Sequence, residues 1–288
     1  MKSVVGIFEA FYPEALVASI EQLGDGHINS TYRVDFNIGG VSESVVLQQV
    51  NRNIFPEPAK IAENIKVVAG HLQQRNYRYE ILEIKSDYLD NAGHYWRIFP
   101  LFTDCVSFLT CSDIYKAEES ARAFGHHFFC LSDLNVDKLH TIIPDFHNAY
   151  RRWEQFEFAI FNADVKRRDV AQQAIAFYTE NRYLIDFYTE LIVQLPLRTT
   201  HNDTKISNLL FNKFGDKPSV IIDLDTLQPG TVLSEFGDMV RSYCPSHSEE
   251  ETTHLLDLTN GIFFLFSGFK ISKTLGDLFL LVLRKPRM

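Results

Sequence analysis

The chain has 288 residues, 45% of them hydrophobic, with 24 Phe and 12 Tyr. That is room for two domains of ordinary size and for a core rich in aromatic side chains, which bury the most area each. The formal net charge of −9 excludes a general nucleic-acid binder, which needs a basic surface to displace counterions.

The first hundred residues read as β-rich. Segments 31–38 and 43–50 are strand-like and are joined by Gly39-Gly40, a pair suited to a hairpin turn. Residues 58–75 predict a helix, because Ile61, Ile65, Val68 and Leu72 recur every three or four positions. Two further strands are expected at 79–85 and 94–102, with Asp90-Asn91-Ala92-Gly93 as the turn between them.

Beyond Phe102 the pattern turns helical. Residues 113–131 predict a helix with Ser112 or Asp113 as its N-cap. Residues 166–195 predict a long amphipathic helix or a helix pair that ends before Pro196. Two short apolar strands, 209–214 and 219–223, flank the turn Gly215-Asp216, and helix returns over 235–266. The expected fold is α+β and protein-kinase-like, in two lobes. Residues 1–102 form a β-rich N-lobe and residues 103–288 a mainly helical C-lobe.

Cys105, Cys111, Cys130 and Cys244 show no CxxC spacing and no zinc pattern, so they read as free thiols. The N-terminus lacks the run of a signal peptide, and the apolar runs at 262–266 and 278–283 are too short to span a bilayer. A cytoplasmic protein is expected, with small-molecule partners, no nucleic acid and no membrane. No pattern in the sequence sets an oligomeric state.

The densest chemical signal is His201-Asn202-Asp203-Thr204-Lys205-Ile206-Ser207-Asn208, followed by the apolar strand Val220-Ile221-Ile222 and Asp223. Phosphoryl transfer needs a carboxylate to orient the acceptor hydroxyl, metal ligands to hold the phosphates, and a cation over the transferring group. Asp203 and Lys205 supply the first and last. Asn208 and Asp223 are candidate Mg2+ ligands, since magnesium prefers carboxylates plus substrate phosphates. Asp225 either binds a second metal ion or caps the next turn. The order of these residues is that of the kinase signature.

A second signal is Gly24-Asp25-Gly26-His27-Ile28-Asn29-Ser30-Thr31, two glycines just before a strand. Glycine lets backbone N–H groups approach a phosphate. Gly24, Gly26, His27, Asn29 and Thr31 are therefore ATP-binding candidates, together with Gln48 on the next strand. A kinase places a Lys on that strand, and here the position holds Gln48 or Gln49. Glu63 on the following helix then lacks its usual ion-pair partner. Either Lys205 and magnesium carry the phosphate charge, or Arg52 reaches in.

Taken together, these residues resemble the aminoglycoside phosphotransferase and choline kinase superfamily, and more closely the N-acetylhexosamine 1-kinases. The resemblance rests on 24–34 (G-x-G-H-I-N-x-T-Y-x-V), 47–55 (L-Q-x-x-N-x-x-x-F), Glu63-Asn64 and Phe146-His147. It continues in 201–208 (H-N-D-T-K-x-x-N), 222–230 (I-D-L-D-T-x-x-P-G) and Phe236-Gly237-Asp238 with Arg241. It implies ATP and Mg2+ as cofactors, and transfer of the γ-phosphate to the anomeric hydroxyl of an amino sugar, N-acetylglucosamine or N-acetylgalactosamine. It also implies Asp203 as base, Asn208 and Asp223 as magnesium ligands, and Asp104 and His147 as sugar contacts. A loop histidine and a helix-flanking acid are the plain alternatives for those last two. Asp238 with Arg241 reads as a buried acid tying the catalytic loop.

The tail 268–288 departs from the family. Lys270, Lys273, Arg284, Lys285 and Arg287 stand against one acid, Asp277, in an otherwise acidic chain. It reads as a truncated or frame-altered end, or as a native amphipathic tail. Two other functions stay open. One is a kinase for another alcohol, such as choline or an aminoglycoside. The other is a non-catalytic nucleotide-binding pseudokinase.

Overall fold

Gly39 and Gly40 both take positive φ, 59° and 81°, a conformation that costs glycine little. They close a two-residue hairpin between β2 (Ser30–Ile38) and β3 (Val41–Val50), in the register Ile38↔Val41. A computed structural model describes residues 3–24, 28–111 and 113–243. The hairpin sits in a five-stranded antiparallel sheet with β1 (Leu16–Gln22), β4 (Ser86–Leu89) and β5 (Tyr95–Pro100), in the order β1-β2-β3-β5-β4.

The period of two along a strand sorts the side chains between the faces of this sheet. Val45, Leu47, Trp96 and Ile98 pack with Ile7 and Phe8 of α1 (Val4–Phe11). Val46, Val50, Tyr95 and Phe99 face the other way. They join a core that runs through α2 (Pro58–Gln73) and α3 (Ile114–Cys130) to the hairpin β8 (Leu209–Asn212) and β9 (Pro218–Ile221). The same alternation puts Gln48 and Arg97 on that second face, where the sheet meets the rest of the chain.

The helix expected at 58–75 is α2, with Pro58 opening it and Ile61, Ile65, Val68 and Leu72 all buried. The helix expected at 113–131 is α3, capped by the Asp113 carboxylate, which accepts from the Lys116 N–H at 2.8 Å. Ser112 lies outside the described residues. Residues 79–85 do not form the expected strand. Glu80 makes a single bridge to Val220, and Lys85 donates its N–H to Ile98 at 2.8 Å. The segment is apolar because Tyr79, Ile81, Leu82 and Ile84 pack on the core between sheet and hairpin. The stretch 166–195 breaks into α5 (Val165–Val170), α6 (Gln172–Glu180) and α7 (Tyr183–Ile192), preceded by α4 (Ala149–Asn162).

Three short strands complete the frame. β6 (Cys105–Val106) pairs with β8, while β7 (Arg198–Thr200) pairs antiparallel with β10 (Gln228–Gly230). A Cβ on Gly230 would lie 2.4 Å from the Thr200 Oγ1, so only glycine fits this crossing. The last described helix is α8 (Val232–Tyr243); the remainder of the helix expected over 235–266, and the tail 268–288, lie outside the described residues. No helix among the described residues is long and apolar enough to cross a membrane.

Asn64 of α2 joins the sheet side to the helical side. It is fully buried, donates to the carbonyls of His140 (2.8 Å) and Leu227 (2.7 Å), and accepts from the His140 N–H (2.8 Å). Asn64→Leu keeps the volume and strands all three backbone groups. A buried group without its partner costs about 1–3 kcal/mol. Urea unfolding of this variant should show a stability loss on the order of 3 kcal/mol, with an unchanged slope.

Candidate active site

β7 runs into the catalytic segment, and β10 leaves the loop that carries Asp223 and Asp225. Their antiparallel pairing brings two segments about twenty residues apart side by side. Asn202 donates to the Thr226 carbonyl at 2.7 Å, and Thr226 Oγ1 donates to the His201 carbonyl at 2.6 Å. His201 is fully buried, and burial holds its pKa below the usual imidazole value. Its Nε2 lies 3.0 Å from the Ile222 carbonyl, and its Nδ1 accepts from the Asp203 N–H at 3.3 Å. That pattern fits one tautomer of a neutral ring. Asn202 and Asp223 have φ of 66° and 57°, left-handed values that Asn and Asp tolerate better than other L residues.

Asp203 and Lys205 face the cleft, one quarter and about one third exposed, with Lys205 Nζ 3.0 Å from Asp203 Oδ2. Asn208 sits on a 3-10 turn at 206–208. Its Nδ2 donates at 2.8 Å both to the Asp203 carbonyl and to Asp203 Oδ2, so it sets the direction of that carboxylate. The Ile222 N–H donates to the Asn208 carbonyl at 2.9 Å, which brings Asn208 next to Asp223. Burial first, and then the nearby Asp225 and Asp203 carboxylates, push the Asp223 pKa up to about 7. A carboxyl in that state gains from a cation. Among the described residues no three His, Cys, Asp or Glu side chains are grouped to hold a metal ion alone. Asp223 with the amide oxygen of Asn208 suits magnesium, which takes one or two protein ligands and fills its shell with water and phosphate oxygens.

Asp225 is 2% exposed, and both its oxygens are engaged. Arg97 NH2 donates to Oδ1 at 2.5 Å, and Asn29 Nδ2 donates to Oδ2 at 2.7 Å. A polar row runs on from there across the sheet. Arg97 Nε and NH2 donate to Gln48 Oε1 at 2.9 and 2.5 Å, and Gln48 Nε2 donates to Thr31 Oγ1 at 2.8 Å. Asn29 also accepts from the Asn51 N–H at 3.0 Å. The structure thus brings Asn29, Thr31, Gln48 and Asp225 together. Gly24 has a φ of 63°, and Gly26 and His27 lie outside the described residues.

Two expectations about charge change. Arg52 does not reach the row, since its NH1 donates to the Gly93 carbonyl at 2.6 Å. The buried cation beside Gln48 is Arg97. Glu63 has a partner after all, with His140 Nε2 2.6 Å away.

His147 lies against the catalytic loop. Burial outweighs the nearby Asn202 main chain and the Asp238 and Asp203 carboxylates to lower its pKa. Asp104 is placed elsewhere. It stands exposed on the turn before β6, with no hydrogen bond or ion pair to the 201–208 segment among the described residues.

The loop is held from behind by α8. Glu235, fully buried, accepts from the N–H groups of His201 (3.0 Å) and Asn202 (2.7 Å). Ser242 Oγ accepts from the Ile206 N–H at 3.0 Å, and the Tyr243 hydroxyl donates to the Thr204 carbonyl at 2.9 Å. Asp238 pairs with Arg241 within the helix at 2.7 Å and adds a longer contact, 3.3 Å, from Thr204 Oγ1. The buried acid that ties the loop is therefore Glu235 first, one turn before the expected Asp238. Its signal in the sequence was the spacing of Glu235, Met239 and Ser242 along one helix face.

The model of the family described as "Phosphotransferase enzyme family" matches residues 19–259. Solved structures share the fold. The GDP complex of a variant of aminoglycoside 2'-phosphotransferase-IIIa aligns at TM-score 0.56 and 16% identity, over 82% of this chain and 74% of that one. The GDP and kanamycin complex of APH(2")-IIIa aligns at TM-score 0.57 and 14% identity, over 82% and 75%. A thermostable variant of aminoglycoside phosphotransferase APH(4)-Ia, in ternary complex with ADP and hygromycin B, aligns at 0.51 and 13%, over 82% and 76%.

Glu235 supports a pH prediction. Burial raises its pKa to about 8, against 4.5 for a free Glu. Between those values the unfolded chain binds fewer protons than the folded one, so this group's contribution to stability falls as pH rises. Glu235→Gln removes the titration and turns an amide N–H toward a backbone N–H, which costs about 1–3 kcal/mol. Urea unfolding should show the wild type more stable by most near pH 5, with the gap narrowing toward pH 8.

Proposed function

The chain belongs to the phosphotransferase enzyme family, and from that premise we propose that it transfers the γ-phosphate of ATP to the anomeric hydroxyl of an N-acetylhexosamine. One observation carries the transfer half: Asp203, Lys205, Asn208 and Asp223 are brought together, with Asn208 fixing the Asp203 carboxylate and the neighbouring carboxylates helping to raise the Asp223 pKa. The sugar half is supported by the resemblance of the segments around Gly24, Leu47, His201 and Ile222 to N-acetylhexosamine 1-kinases. The place of His147 against the loop that carries Asp203 supports it further.

In this reading Asp203 accepts the proton of the attacking hydroxyl, and Asn208 fixes the carboxylate that does so. Lys205 exchanges its contact with Asp203 for the charge that builds on the transferring group. Asn208 and Asp223 hold magnesium. Mg-ATP supplies the phosphoryl group and neutralises part of its charge. Glu235 and Tyr243 keep the loop in place, so that little reorganisation accompanies the reaction. The division into a nucleotide-binding part, residues 1–102, and an acceptor-binding part, residues 103–288, belongs to the same reading. His147 is the stronger acceptor-contact candidate, and Asp104 stands toward the connecting segment.

ATP consumption with magnesium should be measured against N-acetylglucosamine, N-acetylgalactosamine, galactose, choline and kanamycin. The reading expects turnover on an N-acetylhexosamine, with phosphate at the anomeric carbon. Turnover on choline or kanamycin alone would move the function to another alcohol. Bound Mg-ATP with no turnover on any of the five would favour a binding module.

Two substitutions test the roles. Asp203→Asn should reduce kcat at least about 100-fold, the contribution of a positioned base, while Mg-ATP still binds. Asp223→Ala should weaken Mg-ATP binding itself, as read by calorimetry. Since Asp223 must give up its proton to hold magnesium, wild-type affinity should rise with pH through about 7. Unchanged nucleotide affinity in Asp223→Ala would place the metal elsewhere.

A further inference from the structure

Arg97 is the buried cation of the sheet, and its guanidinium is only partly used. The side chain is 2% exposed. Guanidinium carries five N–H donors in a fixed fork. Nε and NH2 are spent on Gln48 Oε1 and Asp225 Oδ1, while NH1 is buried with no hydrogen-bond partner. A buried donor without an acceptor is costly, and native chains rarely leave one without a reason. The Phe99 ring lies 4.9 Å from the guanidinium carbon and gives the charge a π face, but a ring face does not replace an acceptor for two N–H groups.

Position supplies the reason. Arg97 is the direct cross-strand partner of Gln48 in the β3–β5 register, and Gln48 stands where a protein kinase carries its phosphate-binding lysine. The pleat turns both side chains toward Asp223 and Asp225. The positive charge missing from β3 is therefore present one strand over, within electrostatic reach of the Asp223 carboxyl. Asn29 binds the other oxygen of Asp225, so the residue just before β2 lies against this pair.

We propose that Arg97 holds the phosphates of the bound nucleotide, doing from β5 what the strand lysine does from β3 in protein kinases. The inference rests on the nucleotide-binding reading above and adds to it a residue that the sequence motifs do not contain. Gln48 is then a positioning residue, whose amide oxygen aims the fork. Asp225 is a counterion that holds Arg97 in the cleft. Arg is suited to this place because its fork matches phosphate oxygens and never loses its charge.

The test is calorimetric binding of ATP, ADP and adenosine, with magnesium present, to the whole chain. Arg97→Met should weaken ATP and ADP about 10–100-fold more than it weakens adenosine, the range of a charge-assisted phosphate contact. Arg97→Lys keeps a charge for Asp225 but loses the fork. It guards against a methionine variant that fails to fold, and ATP should weaken by less in it, with adenosine unchanged. Gln48→Lys added to Arg97→Met returns the cation to β3 and should restore much of the preference for ATP over adenosine. Equal weakening of ATP and adenosine would make Arg97 merely structural, and unchanged ATP affinity in both single variants would also overturn the proposal. If the wild type binds adenosine and ATP alike, the inference fails while nucleotide binding stands. If it binds no nucleotide, both fall.

Discussion

The Arg97–Asp225 pair is the interaction on which the arrangement of the cleft depends. Taking an ion pair out of water costs several kcal/mol for each charge, repaid only by close geometry and further hydrogen bonds. Both conditions are met: each Asp225 oxygen has a donor, and two guanidinium nitrogens share Gln48. The pair also joins distant parts of the chain. Arg97 belongs to the sheet and Asp225 to the turn after β9, so the faces of the cleft are fixed in distance and register. Three carboxylates, Asp203, Asp223 and Asp225, then share the cleft with two cations, Arg97 and Lys205. Positive charge is in short supply, and after burial the Asp225 and Asp203 carboxylates add to the rise of the Asp223 pKa to about 7. A divalent cation and a polyphosphate together would rebalance such a site.

The catalytic loop is held by a different means. Its backbone bends through left-handed Asn202, and the two N–H groups at the bend end on a single buried carboxylate, Glu235. An unusual backbone conformation persists only where its surroundings over-determine it. Here α8 provides that from below through Glu235, Ser242 and Tyr243, while Thr226 and Ile222 provide it from the side. The side chains of Asp203 and Lys205 are thereby left pointing at the cleft from a rigid base.

Much of this was legible in the sequence where the signal is local. Gly39-Gly40 announced its hairpin, Pro58 and the Ile61–Leu72 spacing announced α2, and Asp113 announced the cap of α3. The H-N-D-T-K and I-D-L-D-T segments named most of the residues that meet at the cleft. What was missed depends on partners far along the chain. Arg97 looks like an ordinary charge on a strand until Asp225, 128 residues later, is placed against it. Glu235 looks like a first-turn helix acid until two N–H groups of the loop are seen on its oxygens. The segment 79–85 has the composition of a strand, yet it packs across the core. Composition reports burial, and pairing needs a neighbour with free backbone groups. The breaks within 166–195 follow from Asp164 capping α5 and from Asn181, whose side chain turns back to the Phe177 carbonyl. Such local competition with the helix leaves no trace in apolar spacing.

The polar network and the helices α4 to α7 are built to different standards. Thr31, Gln48, Arg97, Asp225 and Asn29 are linked in one hydrogen-bonded row, so a substitution there disturbs several partners at once. By contrast, none of the side chains of α4 to α7 is fully buried. Those helices are joined by contacts such as the Arg182–Asp186 pair at 2.9 Å and the stacking of Arg182 on Tyr150 and Trp153. Exposed pairs of this kind are worth little each. Residues on these helices can change with small cost to the rest of the molecule. His147 sits where the two standards meet: it lies near the loop at Asn202, and the Tyr188 hydroxyl of α7 donates to its carbonyl at 3.3 Å. The hydrogen-bonded network around Asp225 and the lightly packed helical layer are separately built parts of the molecule. The point of contact between them is one histidine beside the loop that bears Asp203.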